Sequence, residues 1–421
     1  MNYRIFPPQE LLEASIELPL SKSMSNRALI ISAFAPNVAR PERLADCTDT
    51  RALEAALASD APEVNVGGAG TAMRFLTAYF ASQPGRVVTL DGDARMRQRP
   101  IGVLVDALRD CGAAIEYAGE KGFPPLRITG TRLHGGNVTV DAGISSQYIS
   151  ALLMAAPLMT RGLVLELEGD VSSLPYIDLT IDMMKHAGAV VERDRETVTV
   201  APQGYSGGNP IVEADWSAAS YWYEIEALTS GFLTLHGLSG TSKQGDKCVA
   251  DIYADLGVTT DFNGEDGGVD LMGSPDLSPR LILDMSHCPD IAQTVAVTCA
   301  MIGVPFKLTG LASLRIKETD RISALANELR KVGVVTVTSD STIEWDGRRM
   351  PVLSLPEFDT YGDHRMALAF APVAVYIPGV VIRDAEVVDK SYPEYWAHLE
   401  SAGFVITDGD APLEDNDVTE E

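Results

Sequence analysis

The sequence predicts an α/β protein made of two domains, with three similar units in each domain. Six apolar runs of helix length recur along the chain, and a short polar or cationic cluster opens each of them. Five amphipathic runs also recur, and each ends at a glycine before a segment of strand-like composition. These glycines recur roughly 70 residues apart, which suits a unit of two helices and several strands and is too long for a solenoid repeat.

The length of the chain favours two domains of about 200 residues, because 421 residues exceed one ordinary hydrophobic core. The hydrophobic fraction of 46% is typical of a globular protein. Proline, glycine or charge interrupts the longest apolar runs before they reach the roughly 18 residues that indicate a membrane span. The first residues lack the pattern of a secretory signal, so we expect a cytoplasmic protein that does not bind membranes.

The six apolar runs predict buried helices, with sheets and amphipathic helices outside them. In chain order the runs are ALIISAFA, FLTAYFA, YISALLMAAPL, YWYEIEAL, IAQTVAVTCAMIG and MALAFAPVAVY. Their opening clusters are SKSMSNR, GGAGTAMR, ISSQ, ADWSAAS, CPD and YGDHR. A helix N-terminus carries unpaired amides and a partial positive charge, so these ends would bind a polyanionic ligand if they met. Because ADWSAAS contains no cation, we expect that helix start at a hinge between the domains.

The amphipathic runs predict surface helices that end at a glycine in the left-handed conformation. The closing glycines are Gly112, Gly188, Gly257, Gly333 and Gly403. A sixth, degraded copy covers residues 49–66 and lacks the glycine. We expect strands at β-rich runs that include VVTLDG, LRITG, NVTVDAG, LVLELEG, TVTVAP, LTLHGL, FKLTGL and TIEWDG.

The chain carries 33 basic and 59 acidic residues, a net charge of −26. This excess opposes binding to nucleic acid, which depends on phosphate neutralisation by lysine and arginine, and it makes clustered cations informative. Residues 406–421 are expected to form a solvated, disordered acidic tail without a catalytic part. The five cysteines and six histidines are scattered without metal-ligand spacing, so we expect neither a disulfide framework nor a metal site.

Two opening clusters in the first half of the chain combine groups that suit a phosphate. Lys22 and Arg27 stand on either side of Ser23 in the sequence, and cations with hydroxyls and free amides favour an anion. A serine cap followed by solvated charges explains this segment equally well. The glycine-rich turn over residues 67–71 precedes Arg74 and would let backbone approach a ligand closely. It lacks the Walker lysine and the dinucleotide-binding spacing.

Three arginines alternate in RMRQRP, at Arg95, Arg97 and Arg99. If this segment is extended, alternation places all three on one side, where they repel one another unless an anion or acid receives them. A solvated charged face is the usual alternative. Another helix start offers neutral donors and is by itself only a capping motif: Ser145, Ser146 and Gln147.

The cluster RIKETDR gives the strongest indication of function. Thr319 or Asp320 can cap the next helix, which places Arg321 in its first turn. A cation there opposes the helix dipole unless an anion compensates it, so we interpret the exception as functional. The cluster DHR repeats the pattern, and Lys390 adds a cation before the last amphipathic helix. Since the histidines are dispersed, a hydrogen-bonding or substrate-positioning role is expected for His364.

The chain resembles the 5-enolpyruvylshikimate-3-phosphate synthase family in motifs that follow one another in order: SKSMSNR, GAGTAMRFL, RMRQRPIGVLVDALR, SSQYISALLMAAP, PYIDLTIDMMK, DMSHCPD, IKETDRISALANELRKVG and YGDHRMA. The resemblance covers nearly everything from Ser21 to about Phe404, and KETDR with DHRMA is a highly specific pair. The family transfers the enolpyruvyl group of phosphoenolpyruvate to the 5-hydroxyl of shikimate 3-phosphate through a tetrahedral intermediate, releasing phosphate, in the pathway to aromatic amino acids. The resemblance implies these two substrates as partners and no metal or organic cofactor.

The resemblance also implies an inside-out α/β barrel in each domain, built from βαβαββ-like units around buried apolar helices. The N-terminal domain would cover residues 21–214, and a discontinuous C-terminal domain would cover residues 1–20 and 215–421. A cleft between the domains would close on the substrates and exclude water. The chain between Arg27 and Gly67 is shorter than the family pattern, which leaves open that one unit is truncated. A monomer is expected.

The matching motifs imply roles for individual residues. Contacts with shikimate 3-phosphate are implied for Lys22, Ser23, Arg27, Ser145, Ser146, Ser173, Tyr176, Asp290 and Lys317. Contacts with phosphoenolpyruvate are implied for Lys22, Gly70, Arg99, Gln147, Arg321, Arg365 and Lys390, with support from Thr71, Arg74 and His364. The reaction removes a proton from the attacking hydroxyl and delivers one to the methylene carbon. The catalytic residues would be Asp290 with Lys317 at the hydroxyl and Glu318 at the methylene carbon.

Three positions depart from the family pattern. Gly68 replaces an asparagine, Phe75 a proline and Ser313 another asparagine. The geometry of the phosphoenolpyruvate site and its sensitivity to inhibitors therefore stay open.

Other functions fit parts of the pattern. A nucleotide-sugar enolpyruvyl transferase of the same fold would carry a cysteine in the loop near the alternating arginines, whereas Cys111 lies in the following helix. A non-catalytic anion-binding protein would not need the acid and base groups of Asp290, Lys317 and Glu318. The net charge of −26 opposes an RNA-end-processing enzyme.

Overall fold

The computed structural model describes residues 1–35, 37–141, 143, 145–169, 173–262 and 267–411. Within them the chain forms two hydrophobic cores. One core contains buried side chains between Met24 and Tyr205, and the other contains those of residues 5–18 and 214–404. The two segments that join the cores run side by side, because Leu20 and Ala214 form an antiparallel bridge.

The described residues form twelve α-helices and twenty strands. The helices are α1 Lys22–Phe34, α2 Thr48–Ala58, α3 Gly70–Ala81, α4 Gly102–Asp110, α5 Ser146–Ala155, α6 Leu174–His186, α7 Trp216–Thr229, α8 Val249–Ala254, α9 Ala292–Ile302, α10 Arg321–Lys331, α11 His364–Phe370 and α12 Tyr395–Ser401. The strands are β1 Tyr3–Phe6, β2 Glu13–Glu17, β3 Glu63–Asn65, β4 Val87–Asp91, β5 Ala114–Tyr117, β6 Leu126–Thr129, β7 Gly136–Asp141, β8 Leu163–Glu168, β9 Val191–Arg193, β10 Thr197–Val200, β11 Phe232–His236, β12 Leu256–Phe262, β13 Gly268–Leu277, β14 Leu281–Asp284, β15 Phe306–Thr309, β16 Val337–Thr338, β17 Ile343–Trp345, β18 Glu357–Phe358, β19 Val380–Ile382 and β20 Val405–Asp408.

The six apolar runs form α1, α3, α5, α7, α9 and α11, and the prediction of these helices is confirmed. They pack in two groups of three: α1, α3 and α5 contact one another, and α7, α9 and α11 do the same. Because α9 has no charged residue on any face, it can be surrounded by protein, and ten of its eleven residues are buried. Each group therefore places three helix starts near one another.

The predicted amphipathic helices are α4, α6, α8, α10 and α12. Four of their closing glycines have φ between 79° and 97° and follow the helix as predicted: Gly112, Gly188, Gly333 and Gly403. The prediction for Gly257 is wrong. This glycine has φ +82° but lies inside β12, where the register with β13 shifts and the strand forms a bulge.

The described strands form five four-stranded sheets with one shared topology. Their strand orders are β3-β4-β6-β5, β7-β8-β10-β9, β2-β11-β13-β12, β14-β15-β17-β16 and β18-β19-β1-β20. In each sheet the first pair is parallel and the other two pairs are antiparallel. The start of the chain supplies β1 and β2 to two sheets of the second core. Between Lys22 and Ala58 the described residues form α1 and α2 and no strand.

The start of the predicted acidic tail is ordered in a strand. Residues 406–408 belong to β20, which pairs antiparallel with β1 and aligns Asp408 with Tyr3. The prediction of a tail from residue 406 is therefore wrong at its start, because backbone pairing with β1 orders this segment despite its acidic composition. Residues 412–421 lie outside the described part of the chain. In the described part, no helix has the length and apolar character needed to cross a bilayer.

The buried carboxyl of Glu224 predicts how stability depends on pH. Glu224 lies on α7 with no exposed surface, and neither of its oxygens has a hydrogen-bond partner among the described residues. Burial raises the pKa of Glu224 well above the usual 4.5. The folded protein therefore keeps a proton that the unfolded chain releases as the pH rises through the unfolded pKa, so this group makes the free energy of unfolding fall with rising pH.

We expect Glu224→Gln to remove this contribution, so that its free energy of unfolding decreases less than that of the wild type from about pH 5 to about pH 8. Urea unfolding over that range measures the difference. Exposed Glu63 provides the control, since Glu63→Gln should follow the wild type. An unchanged pH dependence in Glu224→Gln would show that Glu224 is ionised in the folded protein.

Candidate active site

A cavity between the two cores brings together the polar clusters that the sequence singles out. Of the predicted site residues, its wall contains Lys22, Ser23, Arg27, Gly70, Thr71, Arg74, Arg99, Ser145, Ser146, Gln147, Ser173, Tyr176, Asp290, Lys317, Glu318, Arg321, His364 and Arg365. Lys390 lies beside this wall, where its Nζ donates a hydrogen bond to the backbone oxygen of Gly68 at 2.7 Å. The roles of these residues toward substrates stay predictions.

Side-chain caps hold the helix starts around the cavity. The predicted serine caps are confirmed at Ser21 for α1 and at Ser145 for α5. Asp215 caps α7 and also accepts a hydrogen bond from the backbone amide of Lys22 at 3.3 Å. One carboxylate therefore joins the starts of α7 and α1, so the helix start of the ADWSAAS cluster lies where the two cores meet.

Arg27 brings a buried positive charge to the cavity. Its guanidinium donates to the hydroxyls of Thr180 at 2.7 Å and Ser150 at 3.1 Å. It also donates to the backbone oxygens of Ser23 at 2.9 Å and Tyr176 at 3.3 Å. These acceptors are all neutral, and burial lowers the pKa of Arg27 to about 10. At neutral pH the group stays protonated, and no carboxylate of the described residues pairs with it.

Arg74 and Arg99 extend this positive wall. Arg74 donates to the backbone oxygens of Gly70 and Pro100 at 3.3 and 2.9 Å, and burial together with nearby Arg99 lowers its pKa to about 10. Arg99 is 6% exposed, and its Nε has no hydrogen-bond partner in the described residues. A Cβ at Gly70 would lie 2.6 Å from Nη1 of Arg99. A side chain at this position would displace the guanidinium from that space.

The prediction that Arg95, Arg97 and Arg99 lie on one side is wrong. The middle of the segment forms a turn of 3₁₀ helix, in which each residue advances by about 120°, so alternate side chains point in three directions. Arg99 lies in the cavity wall, whereas Nε of Arg97 bonds Asp91 at 2.9 Å and the side chain is exposed. Arg95 reaches across the cavity edge to the backbone oxygens of residues 317–318.

Asp290 organises the cations on the opposite wall. Its Oδ1 lies 3.0 Å from Nη1 of Arg321 and 3.5 Å from Nζ of Lys317, and its Oδ2 lies 3.1 Å from Nη2 of Arg365. Burial opposes ionisation, but Arg365, Lys317 and Arg321 hold the pKa of Asp290 well below its usual value. Asp290 is therefore ionised and can accept a hydrogen bond from a substrate hydroxyl.

Arg321 begins α10, and carboxylates of the chain itself compensate its charge. Its Nε lies 2.6 Å from Asp363, and its Nη2 lies 3.0 Å from Glu318. Asp320 caps the helix, as one of the two predicted alternatives. The sequence predicts that an anion compensates the charge of Arg321. The carboxylates of Asp363, Asp290 and Glu318 provide this compensation and hold the guanidinium in place.

Glu318 lies between cations of both walls. Besides Arg321, Nζ of Lys390 lies 3.8 Å from its carboxylate and Nη1 of Arg99 lies 3.9 Å from it. Burial favours the neutral acid, but Arg321, Arg99 and Lys390 hold the pKa of Glu318 well below its usual value. This carboxylate is therefore ionised, and its proton affinity depends on how strongly those cations act on it.

The two lysines in the cavity wall differ in proton affinity. Burial lowers the pKa of Lys317, Arg321 adds to that effect, and Asp290 opposes it. Burial also disfavours the charged form of Lys22, but Asp49 at 3.2 Å raises its pKa above the usual value. Lys317 is therefore the better candidate for a proton-transfer group, and Lys22 for a fixed charge.

His364 presents an uncharged ring to the cavity. It is 1% exposed, and neither ring nitrogen has a hydrogen-bond partner among the described residues. Burial, with Lys22 and Arg365 nearby, lowers the pKa of His364 well below its usual value. The ring nitrogens can therefore accept or donate one hydrogen bond each to a ligand without adding charge.

Two acidic residues of this region were missed by the sequence reasoning. Asp49 lies 3.2 Å from Nζ of Lys22 and 3.7 Å from Nζ of Lys390. The sequence could have indicated Asp49, because it lies on the buried face of α2 together with Leu53 and Ala56. Asp246 lies behind Asp290, and the hydroxyl of Tyr176 approaches both carboxylates at 3.4 Å.

These charges fit a ligand with several anionic groups and a reaction that moves protons. One wall offers the buried guanidiniums of Arg27 and Arg74, which pair with no carboxylate of the described residues, and the other offers cations arranged around two ionised carboxylates. Within the described residues, no group of three or more histidine, cysteine, aspartate or glutamate side chains has the arrangement of a metal site.

Comparisons with known proteins show the family and the fold to which this chain is similar. The sequence model of the family described as EPSP synthase (3-phosphoshikimate 1-carboxyvinyltransferase) matches residues 52–399. A Bacteroides fragilis protein named 3-phosphoshikimate 1-carboxyvinyltransferase is 47% identical, over 97% of this chain and 100% of that protein. A Vibrio cholerae protein of the same name is 38% identical, over 92% of this chain and 96% of that protein. The solved structure of an EPSP synthase from Acinetobacter baumannii shares the fold, with a TM-score of 0.75, 22% identity and coverage of 97% of this chain and 100% of that one.

The lack of a counter-ion at Arg27 predicts anion binding. We expect inorganic phosphate to raise the thermal unfolding temperature of the protein, because it binds the folded state. Arg27→Gln should weaken this binding by about tenfold or more, since hydrogen bonds to charged groups contribute about 1.5–3 kcal/mol. Exposed Arg132 provides the control, and Arg132→Gln should bind phosphate like the wild type. Equal phosphate binding by Arg27→Gln and the wild type would contradict the assignment.

Proposed function

The chain belongs to the EPSP synthase family, and we propose that it transfers the enolpyruvyl group of phosphoenolpyruvate to the 5-hydroxyl of shikimate 3-phosphate, releasing phosphate. This is a step of the shikimate pathway to aromatic amino acids. The observation that carries the proposal is the cavity in which Asp290, Lys317 and Glu318 lie among cations from two walls. Both substrates carry a carboxylate and a phosphate, so together they match a site with cations on both sides.

Shikimate 3-phosphate would bind to the wall that contains Arg27. Its phosphate is the anion that this buried guanidinium lacks, and hydroxyls from two helix starts surround the position. The contacts proposed for this substrate come from Lys22, Ser23, Arg27, Ser145, Ser146, Ser173, Tyr176, Asp290 and Lys317. Asp290 and Lys317 lie across the cavity, which supports placing the reactive hydroxyl toward them.

Phosphoenolpyruvate would bind between the walls, near Glu318. Arg99 approaches from one wall and Arg321 from the other, and Lys390 lies beside them. Lys22, Gly70, Gln147 and Arg365 complete the proposed contacts, while Arg74, Thr71 and His364 support them. Gln147 donates to Thr71 at 3.2 Å, which fixes its amide at the cavity. At Gly68, a side chain would lie within 3.1 Å of Nζ of Lys390, so the departure from asparagine leaves space for that lysine.

The proton transfers are assigned to three side chains. Asp290 would accept the hydrogen bond of the attacking hydroxyl, and Lys317 would receive the proton in its neutral amine form, which its lowered pKa makes more accessible. Glu318 would deliver a proton to the methylene carbon. Anionic phosphoenolpyruvate would offset the cations that hold the pKa of Glu318 down, so binding would raise its proton affinity before the transfer.

The tetrahedral intermediate keeps a carboxylate and a phosphate on one carbon. Its collapse transfers a proton from the methyl carbon back to the Glu318 carboxylate, re-forms the carbon–carbon double bond and expels phosphate, and fixed cations stabilise the charge that develops on the leaving group. Arg99, Arg321 and Lys390 are placed for this role. Arg321 is the most rigid of them, because its two bonds to Asp363 leave little freedom for its guanidinium.

We propose two domains that meet at this cavity, residues 21–214 and residues 1–20 with 215–421. The two separate cores and the paired crossover at Leu20 and Ala214 support that division. The shared topology of the five sheets supports repeated units in an inside-out barrel, with a truncated unit around α1 and α2. Since one chain supplies every proposed site residue, a monomer suffices for activity. A cytoplasmic location is proposed with the biosynthetic role.

The nucleotide-sugar alternative has less support. It would place a reactive cysteine in the loop near Arg95–Arg99, whereas Cys111 caps the end of α4 and has no exposed surface. A pure anion binder has no use for an ionised Glu318 whose proton affinity changes with ligand charge.

The activity is tested by mixing the protein with both substrates and following phosphate release without added metal. We expect release only when both substrates are present, together with formation of a compound that contains the carbon atoms of both. Absence of release, or release from phosphoenolpyruvate alone, would reject the proposed reaction.

The proton-transfer roles are tested by Lys317→Ala and Glu318→Gln. Each should lower turnover by about 100-fold or more, the usual scale of general acid–base contributions. Glu120 and Lys121 are exposed, follow one another in the sequence and are not among the proposed site residues, so they give matched controls. Glu120→Gln and Lys121→Ala should have the turnover of the wild type. Turnover near the wild-type rate in either active-site variant would remove that residue from the mechanism.

A further inference from the structure

The side chain of Arg95 contacts the backbone of the segment that carries two of the proposed catalytic residues. Its Nη2 lies 2.9 Å from the oxygen of Lys317, and its Nε lies 3.0 Å from the oxygen of Glu318. The Nε also lies 3.3 Å from the oxygen of Lys317. A planar guanidinium thus spans two successive carbonyl groups with charge-assisted hydrogen bonds.

This segment has few hydrogen bonds of its own. It connects a 3₁₀ turn that ends at Ile316 with α10, which begins at Arg321. Among the hydrogen bonds of the described residues, only those from Arg95 end on the carbonyl oxygens of Lys317 and Glu318. The backbone position of both residues therefore depends on a donor from the opposite wall.

The base of Arg95 is held firmly. The amide of Met96 donates to the carboxylate of Asp93 at 2.7 Å, and the Met96 side chain is 1% exposed. The amide of Gln98 donates to the oxygen of Arg95 at 3.0 Å, closing the turn. The same turn ends at Arg99, whose guanidinium lies 3.9 Å from the Glu318 carboxylate. One short turn thus acts on both the backbone and the side chain of Glu318.

We propose that Arg95 is a positioning residue for the reaction, which aligns Lys317 and Glu318 by holding their backbone from across the cavity. It bonds the backbone of these two residues and is not itself among the proposed substrate contacts, so it acts through the geometry of the proton-transfer groups. Small displacements of such groups reduce the rate strongly, because proton transfer requires hydrogen-bond distance and alignment. The inference rests on the proposed function, since it concerns the same reaction.

The test compares Arg95→Ala with Arg97→Ala, a variant of the exposed arginine in the same turn. Arg95→Ala should lower kcat by about tenfold or more, while the KM of each substrate changes by less than about threefold. Arg97→Ala should have the kcat and KM values of the wild type. In the absence of substrates, both variants should have a thermal unfolding temperature within about 2 °C of the wild-type value. Arg95→Lys should have intermediate turnover, because one ammonium group cannot span two carbonyls as the planar fork does.

A double variant separates positioning from a general structural effect. If Arg95 acts through Glu318, then adding Arg95→Ala to Glu318→Gln should lower the remaining turnover by less than about threefold, far less than in the wild type. A structural role would reduce turnover by the same factor in both backgrounds.

The outcomes distinguish this inference from the proposed function. If the wild-type protein releases no phosphate, the proposed function itself is rejected. With an active wild type, the positioning role is overturned if Arg95→Ala keeps turnover within about twofold, if Arg97→Ala loses as much, or if the effect of Arg95→Ala multiplies with those of both Glu318→Gln and Lys317→Ala. If Arg95→Ala does not fold, Arg95→Lys is measured instead. Turnover of Arg95→Lys at the wild-type rate would then overturn the positioning role.

Discussion

Asp290 holds one whole wall of the site together, because Arg321, Arg365 and Lys317 all lie within 3.5 Å of its carboxylate. Three cations at such distances would repel one another without it, and removing one partner of a buried charge network leaves the others uncompensated. On the opposite wall, Arg27 has no carboxylate partner among the described residues and bonds only to neutral oxygens. The site therefore combines a wall whose cations are paired with carboxylates and a wall on which Arg27 is not, and the proposed anionic substrates would supply the missing charge.

The fold makes this arrangement possible by burying helices that are apolar on all sides. Because α1, α3 and α5 pack against one another, and α7, α9 and α11 do the same, their polar starts come together instead of spreading over the surface. The sheets and amphipathic helices then cover the outside. Asp215, which caps α7 and also bonds the start of α1, joins the two groups where the chain crosses between the cores. Placement of the cations thus follows from the packing of the least polar segments.

The sequence predicted what depends on local pattern. Helix α9 was predictable because it has no charged face, and the caps at Ser21 and Ser145 because serine before an apolar run satisfies free amides. The segment from Arg95 to Arg99 was misjudged, since alternation alone cannot distinguish a strand from a 3₁₀ turn. The contacts of Arg95 with residues 317–318 join positions more than 220 apart, and no local pattern encodes them.

The charge balance was equally beyond sequence reasoning, because it depends on which groups meet in space. The motifs placed cations near the site, but they could not show that Arg321 is paired with Asp363 while Arg27 is unpaired.

The most direct test is a crystal structure of Glu318→Gln with both substrates bound. We predict the phosphate of shikimate 3-phosphate at Arg27 and phosphoenolpyruvate between Arg99 and Arg321. Both phosphates on the Asp290 wall, with Arg27 bound to a protein carboxylate, would contradict it.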